Sequence, residues 1–208
     1  MEEQLRVFVI DDDPLVLRAL ERVLRSHGFP VEVFSSPTTF LDRPPYDGVA
    51  CLLLDLMMPG LNGLDVQELL AGRGVSHPII FVSGQGDVSS TARAMKEGAV
   101  DFLVKPIDET QLLDAIGRAG ARATALREQQ QSERETAARF ARLTRREREV
   151  CDLVARGLLN KQVASELGTG EKVVKVHRGR AMRKLEVDSV AALVRLLSKL
   201  PPDKPAQP

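Results

Sequence analysis

The sequence predicts two folds in series: an open, doubly wound α/β domain on a five-stranded parallel sheet, then a small all-α four-helix domain. Three observations carry this. Short continuous apolar runs alternate with helix-spaced stretches up to about residue 125, and the strand-like runs then stop. Charge divides near the same place: residues 1–117 hold nine Lys and Arg against 18 Asp and Glu, a net of −9, and residues 118–208 hold 20 against 11, a net of +9. From residue 143 on, caps and glycines mark off four short helices.

In chain order, 7–10 (VFVI) is a short apolar run of β-formers. Asp13-Pro14 reads as a helix start, an acidic cap before a proline in the first turn. Val16, Leu17, Leu20, Val23 and Leu24 repeat at helical spacing until Gly28. Further strands are expected at 31–34, 49–54, 79–82 and 102–104, with helices near 63–72, 87–97 and 109–125. Continuous apolar strands indicate a sheet covered on both faces, and strand–helix alternation makes it parallel. Such a fold builds its sites at the carboxyl ends of the strands.

Residues 118–142 are rich in Arg, Gln, Ala and Glu without proline, and read as a largely helical connector, with a disordered linker as the alternative. Thr144-x-x-Glu147 is a capping box. Val150, Leu153 and Val154 form the apolar stripe of the helix that follows, which Gly157 ends. Asn160 is expected to cap a second helix ended by Gly168, a third runs 171–185, and Asp188-Ser189 caps a fourth. Two helices joined by a tight glycine-containing turn form a helix-turn-helix. The expected boundaries are 1–122 for the first domain, 123–142 for a helical linker, 143–200 for the second domain and 201–208 for a disordered tail.

Composition excludes several classes. No apolar run approaches the roughly 18 residues of a membrane span, and the acidic start, Met1-Glu2-Glu3-Gln4, lacks a signal peptide's pattern, so a cytoplasmic protein with no membrane partner is expected. Cys51 and Cys151, 100 positions apart, read as buried small side chains.

Chemistry concentrates at the strand ends. Asp11, Asp12 and Asp13 follow the first strand and Asp55 the third, so a doubly wound sheet puts them at one edge. Crowded carboxylates repel, and a divalent cation with hard oxygen ligands, Mg²⁺, relieves this. Lys105 follows the fifth strand and Ser83 the fourth, adding an ammonium and a hydroxyl. Together these suit a phosphoryl group, with an Asp as nucleophile. Asp13, next to Pro14, reads as a cap instead.

Ile10-Asp11-Asp12, the run Asp55 to Gly60 followed by Gly63, Ser83-Gly84 and Lys105-Pro106 resemble, in order, the signature of CheY-like receiver domains. The resemblance implies that Asp55 accepts a phosphoryl group from a sensor histidine kinase. It implies Mg²⁺ held by Asp11, Asp12, Asp55 and the backbone carbonyl of Met57, a cis peptide before Pro106, and Ser83 with Phe102 as the switch pair. Phe102 also reads as plain core. A phosphohydrolase would want an Asp-x-Asp at the first strand and more chain for a cap, so no enzyme is expected beyond the domain's own Mg²⁺-dependent phosphorylation and dephosphorylation.

The 171–185 helix carries Lys172, Lys175, Arg178, Arg180, Arg183 and Lys184 against one acid, Glu171. Val174, Ala181 and Leu185 can face inward, leaving Lys172, Val176, Gly179 and Arg183 as an outward stripe with Lys175 beside it. Such a helix fits the major groove. Residues 143–200 resemble a LuxR-type helix-turn-helix of the NarL/FixJ-like group, on the stretches 143–150, 160–168 and 171–177. The resemblance implies base contacts by Lys175 and Val176, and phosphate contacts by Lys172, Arg178, Arg180, Asn160 and Lys161. His177 reads as packing inside the motif. Three positions depart from the pattern: Gly170 where a capping Ser or Thr is usual, Val173 where Thr is common, and Glu186 in place of glycine.

The two resemblances combine into a transcriptional response regulator of a two-component system. Expected partners are the sensor kinase, double-stranded DNA, a second copy on phosphorylation and, as a further candidate, RNA polymerase. Leu193 and Leu197 line one stripe of the last helix and read equally as a dimer face or as core. The other class that fits is a phosphorylation-dependent protein- or RNA-interaction module without sequence-specific DNA binding.

Overall fold

The structure is a computed structural model and describes residues 4–84 and 88–198, with the side chains of 88–90 left aside. It divides into two compact units, residues 1–128 and 129–208.

In the first unit five parallel strands lie in the order β2-β1-β3-β4-β5. They are β1 Arg6–Ile10, β2 Val31–Phe34, β3 Ala50–Asp55, β4 Ile79–Ser83 and β5 Asp101–Val104. The helices are α1 Pro14–Ser26, α2 Pro37–Leu41, α3 Gly63–Gly72, α4 Val88–Lys96 and α5 Glu109–Ala141. β1, β3 and β4 are buried almost throughout, as runs apolar on both faces require. Side chains alternate across the sheet. Phe8, Ile10, Leu52 and Leu54 join Phe40, Leu64, Val66 and Leu70 on one face. Val7, Val9, Cys51 and Leu53 join Leu17, Leu20, Leu24, Leu112 and Ile116 on the other.

The second unit has α6 Arg145–Ala155, α7 Asn160–Glu166, α8 Glu171–Leu185 and α9 Val190–Leu197. Its core gathers Leu143, Val150, Cys151, Val154, Val163, Val174, Ala181, Leu185 and Leu193, with Phe140 packed against them.

Sequence expectation and structure differ at α2 and at the cap of α7, and the structure decides two readings left open, the connector and Leu193. A short helix, α2, stands where none was expected: Ser36 caps it, Pro37 opens it, and five residues are too few to show a period. The helix that begins at Glu109 continues to Ala141, so the division between units falls inside it and the connector is helical there. Asn160 does not cap α7. Leu159 holds that position, its N–H donating to Gln162 Oε1 at 2.8 Å, and Asn160 is the first helical residue. Leu193 is fully buried and belongs to the core, whereas Val194 beside it is exposed. The tail at 201–208 lies outside the described residues. No helix among the described residues is long and apolar enough to cross a membrane.

Candidate functional site

The strand order reverses between β1 and β3, which makes the carboxyl ends of those strands the natural crevice. Ile10 pairs with Leu54, so the residues that follow, Asp11 and Asp55, leave the sheet side by side. Asp55 is in register with Val82, which puts Ser83 one step further along the same edge, and Ser83 pairs with Val104, just before Lys105. Four strands thus bring four groups to one rim.

Asp11 is 1% exposed and Asp55 5%. Asp12 is exposed. One carboxylate oxygen from each of the three lies within 4.8 Å of the others. Lys105 Nζ donates to Asp11 Oδ2 at 2.7 Å and stands 3.2 Å from Asp55 Oδ1. Asp11 Oδ1 also accepts the Asp13 N–H at 2.9 Å. Burial pushes the Asp55 carboxyl above its ordinary range; Lys105 pulls it down, and Asp11 and Asp12 push it up again. Burial alone would lower the Lys105 ammonium, but hydrogen bonding to Asp11 and the charge of Asp55 outweigh it and raise the pKa. Three carboxylates and one ammonium leave a negative excess of hard oxygen donors, and that donor set fits Mg²⁺.

The peptide between Lys105 and Pro106 is cis. Asp13 caps α1, its carboxylate accepting the Leu15 N–H at 2.7 Å. Gly63 opens α3 at a point where a Cβ would lie 2.6 Å from the Asp55 carbonyl oxygen, so a side chain there would displace the Asp55 backbone. Met57, two residues after Asp55, is 72% exposed. Ser83 is fully buried, and Phe102, in register with Phe81, is half-buried against the Phe8 face of the sheet. Asp11, Asp12 and Asp55 are therefore gathered within 4.8 Å, Lys105 contacts Asp11 and Asp55, and Ser83 stands at the neighbouring strand end.

In the second unit, α8 buries Val174, Ala181 and Leu185 and exposes Lys172, Lys175, Val176, Gly179, Arg180 and Arg183. Lys161 is exposed at the start of α7. Arg178 is half-buried and its Nη1 donates to Asn160 Oδ1 at 3.2 Å, so these two meet each other and tie α8 to α7. His177 is half-buried, with Nδ1 inside the fold and unpartnered among the described residues. Gly170 holds the N-cap of α8 without a side-chain bond. Glu186 does adopt the left-handed conformation, φ 58° and ψ 41°, that its position demands.

Lys184, counted from sequence among the basic face, turns inward. Its Nζ donates to Glu147 Oε2 at 2.6 Å and to the Arg142 carbonyl at 3.1 Å. Glu147 is 3% exposed and also accepts the Thr144 N–H at 2.8 Å, closing the capping box. One carboxylate thus fixes both the start of α6 and the end of α8. The capping box was visible in the sequence, but a partner 37 positions away was not.

Two family models match the chain: the response regulator receiver domain over residues 7–117, and the luxR family of bacterial regulatory proteins over residues 141–197. Nodulation protein W of Bradyrhizobium diazoefficiens is 45% identical over 194 residues, 93% of this chain and 86% of its own. The transcriptional regulatory protein FixJ of Azorhizobium caulinodans is 37% identical over 210 residues, all of both chains. Among solved structures, response regulator StyR matches with a TM-score of 0.80 and 44% identity, covering 94% of this chain and 99% of StyR.

Proposed function

The chain belongs to the response regulators that join a receiver domain to a LuxR-type DNA-binding domain and is a transcriptional regulator of that kind, and from this premise we propose the residues that perform the two tasks. Asp55 is the phosphoacceptor. The observation that carries this is the Asp55 carboxylate, 5% exposed, facing the Lys105 ammonium at 3.2 Å within a ring of acids.

An Asp55 oxygen attacks the phosphorus of a phosphohistidine on the sensor kinase. The P–O bond forms as the P–N bond breaks, and the bonding pair returns to the imidazole nitrogen. Lys105 is placed to offset charge on the incoming phosphoryl oxygens. Mg²⁺, when bound, supplies a second, stronger charge of this kind. Asp11, Asp12, Asp55 and the Met57 carbonyl would hold it. Ser83 and Phe102 form the switch pair that reports phosphorylation. The receiver performs no chemistry beyond its own phosphorylation and hydrolysis.

In the output domain, Lys175 and Val176 face the base edges, and Lys172, Arg180 and Lys161 face phosphates. Arg178 and Asn160, joined to each other, present one shared phosphate contact. Phosphorylation shifts the receiver between two states, the active one pairing two copies so that two output domains meet half-sites about one DNA turn apart or a multiple of it. The chain acts in the cytoplasm.

The test compares wild-type protein with Asp55→Asn, each with and without acetyl phosphate and Mg²⁺, by sedimentation and by retention of a duplex selected from random DNA. Wild type should gain mass and affinity, and the variant neither. A variant that still gained both on addition of the donor would remove Asp55 from its role.

A further inference from the structure

Glycine in the interior of a helix costs roughly fivefold in the folding equilibrium against alanine. An internal reason is plain at Gly120, where a Cβ would strike Leu5 Cδ2 at 2.9 Å, and at Gly63, the first residue of α3, where one would strike the Asp55 carbonyl at 2.6 Å. Gly179 has no such reason. It stands in the middle of α8, exposed, and a Cβ there would meet nothing within 4 Å. Even Arg183, which folds back to donate from Nε to the Gly179 carbonyl at 3.4 Å, leaves that space open.

What surrounds Gly179 points outward. It shares the exposed stripe with Lys172, Val176 and Arg183, and the opposite face of α8 is buried in the core. The stripe is cationic at both ends and bare in the middle.

We propose that Gly179 is the point where α8 approaches the floor of the DNA major groove most closely. The missing side chain lets the helix backbone settle against a base edge, while Val176, one turn earlier, packs on a thymine methyl and Lys172 and Arg183 reach toward the phosphate walls. This rests on the DNA-reading role given above and adds a residue that sets specificity by exclusion.

Gly179→Ala separates the claim from a purely structural one, because stability and binding should move in opposite directions. The control is Gly117→Ala: Gly117 is also helical, exposed and open, but lies in the acidic first unit. Both full-length variants should unfold at higher temperature than wild type. Against a duplex selected from random DNA by phosphorylated wild type, Gly179→Ala should bind at least tenfold more weakly and Gly117→Ala within twofold. Binding of both to a mixed-sequence duplex should stay within twofold.

Equal or tighter binding of the selected duplex by Gly179→Ala overturns the proposal. So does a fall in its stability, which would reveal an internal need for glycine, and so does an equal loss on both duplexes, which would place residue 179 at phosphates. A wild type that enriches no sequence overturns the DNA-reading role itself and this inference with it.

Discussion

Replacing Glu147 by alanine should loosen the output domain selectively. The carboxylate accepts the Thr144 N–H, its half of the capping box and a hydrogen bond worth about 1 kcal/mol. It also accepts the Lys184 ammonium at 2.6 Å, a charge-assisted bond worth about 1.5–3 kcal/mol, toward the lower end here because the lysine side chain is 36% exposed. Together the loss is about 2–3 kcal/mol, or roughly 30- to 150-fold in the opening equilibrium at 1.36 kcal/mol per decade. Amide hydrogen exchange by mass spectrometry reads this segment by segment in the full chain. Peptides covering α6 and the end of α8 should lose protection by that factor, and peptides from β1, β3 and β4 should be unchanged. The sign of the pH dependence follows from the direction of the shift. Burial alone would raise the Glu147 carboxyl, but hydrogen bonds from Lys184 and Thr144 outweigh it and hold its pKa below the ordinary value. Its contribution is therefore complete above the unfolded carboxyl value of about 4.3 and disappears as pH falls through the lower folded value. The difference between wild type and variant should shrink in acid. A change in α6 protection under threefold at pH 7, or a difference that widened in acid, would refute this account of the pair.

Two further outcomes are expected. Glu186→Gly should stabilise the second unit, because relieving a left-handed non-glycine residue recovers about 1 kcal/mol and the exposed Glu186–Arg139 ion pair at 3.3 Å gives back only a fraction of that. The net corresponds to roughly 3–6 °C in the output domain's melting temperature by calorimetry, and a lower melting temperature would sink the argument. Lys105→Ala removes the only cation in contact with Asp11 and Asp55 among the described residues, so added Mg²⁺ should raise the receiver's melting temperature more in the variant than in wild type. A smaller rise would mean that ammonium and metal do not compete for the same charge.

Much of the chain was legible before folding. Continuous apolar runs at 7–10, 49–54 and 79–82 mark β1, β3 and β4, because the central strands of a doubly covered sheet bury both faces. Asp11, Asp55, Ser83 and Lys105 were legible because each is tied to a strand end, and topology alone carries strand ends to one rim. The capping box at Thr144 and Glu147 was legible because it is local. These features depend on neighbours within a few positions or on a fixed periodicity, both of which a sequence displays directly.

Tertiary structure decided the rest, wherever a side chain had more than one place to go. Lys184 could have faced solvent with the other bases of α8; the buried Glu147 carboxylate draws it inward instead. Asn160 could have capped α7, but Arg178, 18 positions on, takes its amide oxygen. Leu193 could have served a partner, but the output core closes over it. Short-range hydrogen bonds and hydrophobic period belong to the sequence, whereas the fate of a long polar side chain is settled by which distant group shares its burial.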